Sequence, residues 1–321
     1  MPTAASVRRL GPAGLLLLAL LAGCRAEEDA PPPPRPAPTP EAAVHRLLDD
    51  LRRDDLGAYA VHALPPDLYA QVDAAWRDGR SRWPLSELPL ARQLPVAIDR
   101  LAAPGAEGFA RRGYRQQFRG EAREVRTAVR TLGLFARQYL ERSADIPSPE
   151  RAHRLQQLAA VVDWAEAAPL ADGARVEPLL PGLAQAARES RLAGGDAAWS
   201  RLGMHRTLTR LRPALRAAKR ALAALGLDVD AALRGARVER IAATADTARI
   251  RLRYTLGPRG IVAELDMVRR PEGWFLADSL RHAQASLAPP RPAAGAAPRV
   301  RHNAADGPAD APALPGRPAA R

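Results

Sequence analysis

Arg249-Ile250-Arg251-Leu252-Arg253-Tyr254-Thr255-Leu256 alternates polar and apolar side chains without a break. Successive side chains of a strand point to opposite faces, so this stretch reads as a half-buried strand with a basic outer face. Downstream, Gly257-Pro258-Arg259-Gly260 turns the chain, and Ile261, Ala263, Leu265 and Met267 repeat the period of two. Pro271-Glu272-Gly273 turns it again into Trp274–Asp278, and residues 237–242 supply a strand upstream. These runs predict a four-stranded antiparallel meander.

Before the sheet the period is helical. Met204, Leu208, Leu211, Leu215, Ala218, Leu222 and Leu225 alternate spacings of four and three. They predict one helix over 203–225, bent at Pro213 and closed by Gly226. A short helix over Val229–Leu233 ends at Gly235. Near the start, Thr39-Pro40-Glu41 offers an N-cap, a proline at N1 and an acidic first turn. The helix that follows presents Val44, Leu47, Leu48 and Leu51 and runs to the Leu64-Pro65-Pro66-Asp67 break. The next carries Leu68, Tyr69, Val72 and Trp76. Pro84, Pro89, Pro95 and Pro104 divide 80–104 into short helices and turns. A long helix from Gly120 to Arg142 has Val125, Val129, Leu132, Phe135 and Tyr139 as its apolar stripe. Ser148-Pro149-Glu150 starts another, carrying Leu155, Leu158, Val162 and Trp164 and stopped by Pro169; Pro178 and Pro181-Gly182 interrupt 174–192. The fold class is therefore α+β: a mostly helical domain followed by the meander, spanning residues 41–287.

Both ends differ in composition from this domain. Residues 25–38 contain Pro31 to Pro34, Pro36 and Pro38, a stretch that favours extended polyproline II; with Cys24 they make a stiff spacer over 24–40. Residues 288–321 are almost wholly Ala, Pro, Arg, Gly and Asp and cannot bury enough surface to offset ordering entropy, which predicts a disordered tail.

The lone cysteine, Cys24, ends Leu21-Ala22-Gly23-Cys24, behind Arg8-Arg9 and the apolar run Leu10 to Leu21. That run is about half the ~20 residues a spanning helix needs, so residues 1–23 read as a removable signal. The tetrapeptide resembles a bacterial lipobox. The resemblance implies cleavage between Gly23 and Cys24, lipid on the Cys24 thiol, and a mature chain tethered to a membrane. Several acyl chains at about 0.8 kcal/mol per methylene hold stably, where one would be marginal. Arg25, standing where an Asp favours inner-membrane retention, implies the periplasmic face of the outer membrane.

The net charge is +13, and +11 without the signal. Lys219 is the only lysine, and the abundance of Arg, Ala, Leu, Pro and Gly matches GC-rich coding bias, which explains much of the charge without a function. An exported chain has no nucleic acid to meet. The partners this charge points to are anionic lipid or another envelope component. The polar side of the 203–225 helix concentrates it: Arg206, Arg210, Arg212, Arg216, Lys219 and Arg220 form a basic stripe, with no acidic residue between Asp196 and Asp228. Such a stripe, outside a seam consumed by the core, is the candidate contact with an anionic surface.

Catalytic signals are missing. His45, His62, His153, His205, His282 and His302 lack a second ligand at metal-binding spacing, so no metal site is expected. G-x-S-x-G, P-loop and dinucleotide fingerprints are absent, which implies no cofactor. Asp49-Asp50 and Asp54-Asp55, interleaved with Arg52 and Arg53, read as a solvated helix end.

Val238 to Asp278, with Ala-Asp-Thr-Ala-Arg-Ile-Arg-Leu-Arg-Tyr, a glycine turn, Met-Val-Arg-Arg and Glu-Gly-Trp-Phe-Leu, resembles the closing strands of NTF2-like (lumazine-binding-type) lipoprotein domains. That resemblance implies helices in the concave face of a curved sheet, with a cavity that Tyr254, Asp266 and Trp274 would line. The order of lipobox, Pro-rich spacer, Leu64-Pro65-Pro66 break, Trp76, helical middle and terminal hairpins is also similar to uncharacterised proteobacterial lipoproteins. The function expected is non-catalytic binding or scaffolding at the envelope; the alternative is a small-ligand carrier, or less readily an enzyme, using an NTF2-like pocket.

Overall fold

The computed structural model describes residues 37–288 except 89 and 90. The expected signal peptide over 1–23, Cys24, most of the expected spacer, His302 and the expected tail beyond 288 lie outside the described residues.

The described chain runs through α1 (Pro40–Arg52), α2 (Leu56–Ala63), α3 (Pro66–Arg77), α4 (Leu94–Ala102), α5 (Ala106–Gln117), α6 (Ala122–Arg142) and α7 (Ser148–Ala167). Then come the single turn α8 (Gly173–Val176), α9 (Leu180–Ser190), α10 (Gly195–Leu202), α11 (Met204–Arg210), α12 (Arg212–Ala224) and α13 (Val229–Arg234). Strands β1 (Arg237–Ala243), β2 (Thr247–Leu256), β3 (Arg259–Arg270) and β4 (Gly273–Leu276) pair antiparallel in chain order, and α14 (Ala277–Leu287) closes the domain. The α+β fold with a terminal meander is as expected.

The helices begin where local chemistry starts them. Thr39 Oγ1 accepts the Ala42 amide at 3.2 Å, Pro40 gives up an amide that would be unpaired anyway, and Glu41 faces the positive helix end. Val44 and Leu47 then turn inward. The spacer is not wholly outside the fold: Ala37 is buried with Val44, Ile250, Met267 and Trp274 in a small core between α1 and the sheet.

The main core lies among α1–α4, α9–α11, β4 and α14, around Trp76, Trp83 and Trp199. All three tryptophans are buried, and two of their ring N–H groups find backbone acceptors. Trp76 Nε1 donates to the Trp199 carbonyl at 3.1 Å and Trp199 Nε1 to the Leu192 carbonyl at 2.9 Å.

In the sheet, Ile250 faces Leu265 and Leu252 faces Ala263, and this inner surface is closed by side chains. The basic outer face is matched by acids on adjoining strands: Arg249 with Asp266 at 2.9 Å, Arg251 with Glu264 at 3.1 Å and Arg253 with Glu239 at 3.7 Å. β4 pairs only with Met267–Arg270, so the first half of β3 has an open edge. Helix α7 covers it. The Gln156 side-chain amide donates to the Val262 carbonyl at 2.9 Å and accepts the Val262 amide at 3.0 Å, standing in for one residue of a fifth strand.

Three helical expectations change. The helix drawn from Thr39 to Leu64 is two, because Asp54 is left-handed (φ 60°) and Asp55 caps the second through the Ala58 amide at 2.9 Å. The 203–225 helix is likewise two: Pro213 does not bend it but sits in the first turn of a new helix, after Leu211. The stripe of α6 is only half used, as described below. Helices α5, α10 and α14 went unforeseen. Each is short and begins after Gly105, Gly194 or strand β4, without a side-chain cap to announce it.

Candidate functional site

The basic stripe meets an acidic turn. Between α1 and α2 the left-handed Asp54 turns its carboxylate inward, where it is 5% exposed. Lys219 Nζ reaches Asp54 Oδ1 at 2.9 Å and Asp230 Oδ1 at 2.8 Å, and donates to the Leu51 carbonyl. Arg216 Nε bonds Asp54 Oδ2 at 3.1 Å, and Arg212 pairs with Asp55. One turn earlier, Asp50 is fully buried, held by His62 Nδ1 at 2.6 Å and Arg53 at 2.9 Å. Asp49 is the solvated helix end expected, exposed and paired with Arg52, but Asp50 and Asp54 are buried, and Asp54 with Asp55 receives α12.

The six basic residues therefore do not form one outward stripe. Arg212, Arg216 and Lys219 point into the acidic turn, and Lys219 is 7% exposed. Arg210 reaches the Arg191 carbonyl at 3.4 Å, Arg206 lines a cleft, and Arg220 is exposed. In α12 the buried positions are Ala217 and Lys219, while Leu215, Ala218 and Leu222 of the expected seam are half-buried. Helix α12 lies on α9; the helices over the sheet are α1, α7, α13 and α14.

The residues that an NTF2-like cavity would bring together are separated. Tyr254 points to α7, where its hydroxyl meets His153 Nε2 at 2.8 Å and accepts from Gln157 Nε2 at 2.8 Å. Burial pushes Tyr254 up and His153 down, so both are neutral at pH 7. Asp266 is on the outer face with Arg249, and Trp274 belongs to the core against α1.

Two clefts stand out, and neither is lined by Ile250, Leu252 or Tyr254. One of about 280 Å³ lies among Pro65, Asp67, Leu68, the β3–β4 turn and α14. A smaller one of about 130 Å³ lies between α3 and α10–α11 and is chemically richer, lined by Tyr69, Asp73, Arg77, Arg201, His205 and Arg206. Gly203 lets the Arg77 guanidinium lie close against the backbone here: its φ is 79°, and a Cβ there would sit 2.7 Å from Arg77 Nη2. Asp73 is committed, accepting the Met204 amide at 2.8 Å and Arg77 Nε at 3.0 Å. The Tyr69 hydroxyl and His205 Nδ1 are buried without a partner among the described residues. Burial pushes Tyr69 up and His205 down, leaving a protonated phenol and a neutral imidazole. This notch can donate hydrogen bonds to a small anion; it holds no activated nucleophile.

A third cluster ties α14 to the body. His282 stands between Glu87 and Glu150, 3.2 Å from each. Arg154 and Arg281 each approach Glu150 at 2.5 Å. The contacts with Glu150 and Glu87 push His282 up to about 9. Burial opposes ionisation of Glu150, but His282, Arg154 and Arg281 together hold its carboxyl below the ordinary range. A base raised on folding stabilises fully below its unfolded value near 6.5 and loses that contribution as pH rises through about 9. Melting temperature should therefore fall between pH 6.5 and 9, by a loss of roughly 2 kcal/mol. His282→Gln should melt lower at pH 6.5 and show a flatter slope. Equal slopes for the two proteins would dissociate His282 from the effect.

Among the described residues no group of three His, Cys, Asp or Glu side chains could hold a metal ion, and no helix is long and apolar enough to cross a membrane. No family model, curated protein or solved structure matches the chain.

Proposed function

We propose that this protein is a lipid-anchored lipoprotein on the periplasmic face of the outer membrane, acting there by binding or scaffolding rather than by catalysis. The observation that carries the reading is Leu21-Ala22-Gly23-Cys24 behind a short apolar run and Arg8-Arg9, with Arg25 following. The attached body supports it: its inner sheet face is packed with side chains, and its ionic clusters join helix to helix. A carrier function would have to use the Tyr69–His205 notch, which fits a small anion, in place of an NTF2-like cavity. Anionic lipid or another envelope component is the partner class its arginine-rich surface fits. The exposed residues for that contact are Arg206, Arg210, Arg216 and Arg220, whereas Lys219 is buried against Asp54 and Asp230.

Cys24→Ser decides the anchor. Expressed in a diderm bacterium, the native chain should incorporate labelled palmitate and sediment with outer membranes, whereas the variant should lose the label and appear in the soluble periplasmic fraction. A variant that fractionates and labels like the native chain overturns the reading.

A further inference from the structure

The longest helix of the domain buries nothing fully. Helix α6 has no buried residue, and its neighbour is α7 alone among strongly packed elements. Val125, Val129, Gly133, Ala136 and Leu140 are half-buried, a spacing of three and four that marks the side facing α7. Gly133 is where the helices come closest, since a Cβ there would lie 2.7 Å from Val162 Cγ2. Beside this covered strip runs a second apolar one left open: Leu132 is 67%, Phe135 62% and Tyr139 72% exposed. Ala128 continues it one turn earlier, and Val161 of α7, next to the Val162 that seats Gly133, is exposed as well. Three adjoining large apolar side chains in water are the mark of an interface, where scattered single ones are not.

The charges beside the stripe say what covers it. Glu124 and Arg142 are about five turns apart at ~3.6 residues per turn, so they lie on one side of the helix, at opposite ends of the open strip. Neither has an ion pair or hydrogen-bonded side-chain partner among the described residues. Their midpoint is Gly133, next to Leu132. A second α6 laid antiparallel across that midpoint sets each Glu124 against Arg142 of the partner subunit. It also packs Leu132 against its own copy and places Tyr139 over the small Ala128 of the partner subunit. A twofold contact demands this self-complementarity. An anionic bilayer fits less well. Of the arginines of α6 only Arg142 borders the strip, at its far end; Arg126, Arg130 and Arg137 flank the other side of the covered strip and are bound to the Ala122 carbonyl, Glu166 and Glu141. The carboxylates Glu121 and Glu124 are the charges that border the apolar strip at its start.

We propose that α6 is a homodimerisation helix, pairing antiparallel with α6 of a second copy through Leu132, Phe135 and Tyr139, with Glu124 and Arg142 fixing the register. This names the partner in the scaffolding reading above and rests on that reading for its biological sense. Its test is independent of the anchor, because it uses the full chain carrying Cys24→Ser, which lacks both lipid and native thiol. Sedimentation should give a dimer. Phe135→Glu should give a monomer with unchanged far-ultraviolet dichroism that still unfolds cooperatively, since the side chain replaced is exposed in the single chain. Glu124→Arg and Arg142→Glu should each weaken association roughly tenfold, and the double swap should restore it. Leu132→Cys should oxidise to a covalent dimer, while Arg126→Cys, on the other flank, should not. A chain that stays monomeric without cross-linking at Leu132→Cys overturns the proposal, as does a dimer indifferent to Phe135→Glu and both charge changes. A monomer whose binding to phosphatidylglycerol vesicles is lost with Phe135→Glu also overturns it and assigns the strip to lipid.

Discussion

Trp199→Ala should lower the unfolding free energy by about 4 kcal/mol, the upper part of the range for truncating a buried aromatic. Its ring is 1% exposed at the junction of α10 with α3 and α11, so the cavity has rigid helices on several sides and little freedom to collapse. The truncation also removes the donor of the Leu192 carbonyl. The Trp199 carbonyl is itself the acceptor for Trp76 Nε1 and for Thr207 Oγ1 at 3.2 Å, so a shift of α10 disturbs both partners. For a domain of this size the melting temperature should fall by roughly 10 °C. Trp199→Phe keeps most of the volume and should cost about half as much. Denaturant unfolding checks both; a loss below about 1 kcal/mol for the alanine variant would show that the three-tryptophan centre does not anchor the helical layer.

Lys219→Met should cost about 3 kcal/mol, because it leaves Asp54 buried and answered by Arg216 alone, and strips Asp230 and the Leu51 carbonyl of their donor. The loss comes from the carboxylate left behind more than from the lysine removed. Lys219→Met combined with Asp54→Asn should therefore recover most of it. Arg220→Met, one residue on and exposed, should change stability by less than about 0.5 kcal/mol. Equilibrium unfolding of the native chain, Lys219→Met, Asp54→Asn and the double variant forms a cycle. Additive losses would mean that the two charges do not depend on each other, and that α12 is held by α9 rather than by the acidic turn.

The two cases explain why the meander was legible and the ionic core was not. Along Arg249 to Leu256 each residue's environment follows from its parity, since one face of the strand is wet and the other dry; neighbours in sequence suffice. By the same parity Asp266, between Leu265 and Met267, falls on the outer face beside Arg249. Lys219 offered no such cue. On a helical wheel it sits with arginines on a polar side, and nothing within α12 reveals that Asp54 arrives from far upstream in sequence. Asp54-Asp55 ahead of Gly57 is a left-handed turn and an N-cap in succession, a local break that the apolar period running across it masks. The α6 strip is the converse case. Val125, Val129, Leu132, Phe135 and Tyr139 satisfy the pattern of a buried face, yet periodicity records only that a helix has an apolar side, never how many neighbours come to cover it.

By itself the sequence determined a helical part followed by a four-stranded meander and the alternation that builds the sheet, and it carries the lipobox reading proposed for Cys24, because turns, side-chain parity and a peptidase motif are local. Tertiary structure alone decided that the basic face of α12 is spent on a buried acidic turn, that the sheet's inner face is filled, and that α6 keeps an open apolar strip. Charge neutralisation and apolar burial depend on which surfaces meet, and that is a property of the folded chain.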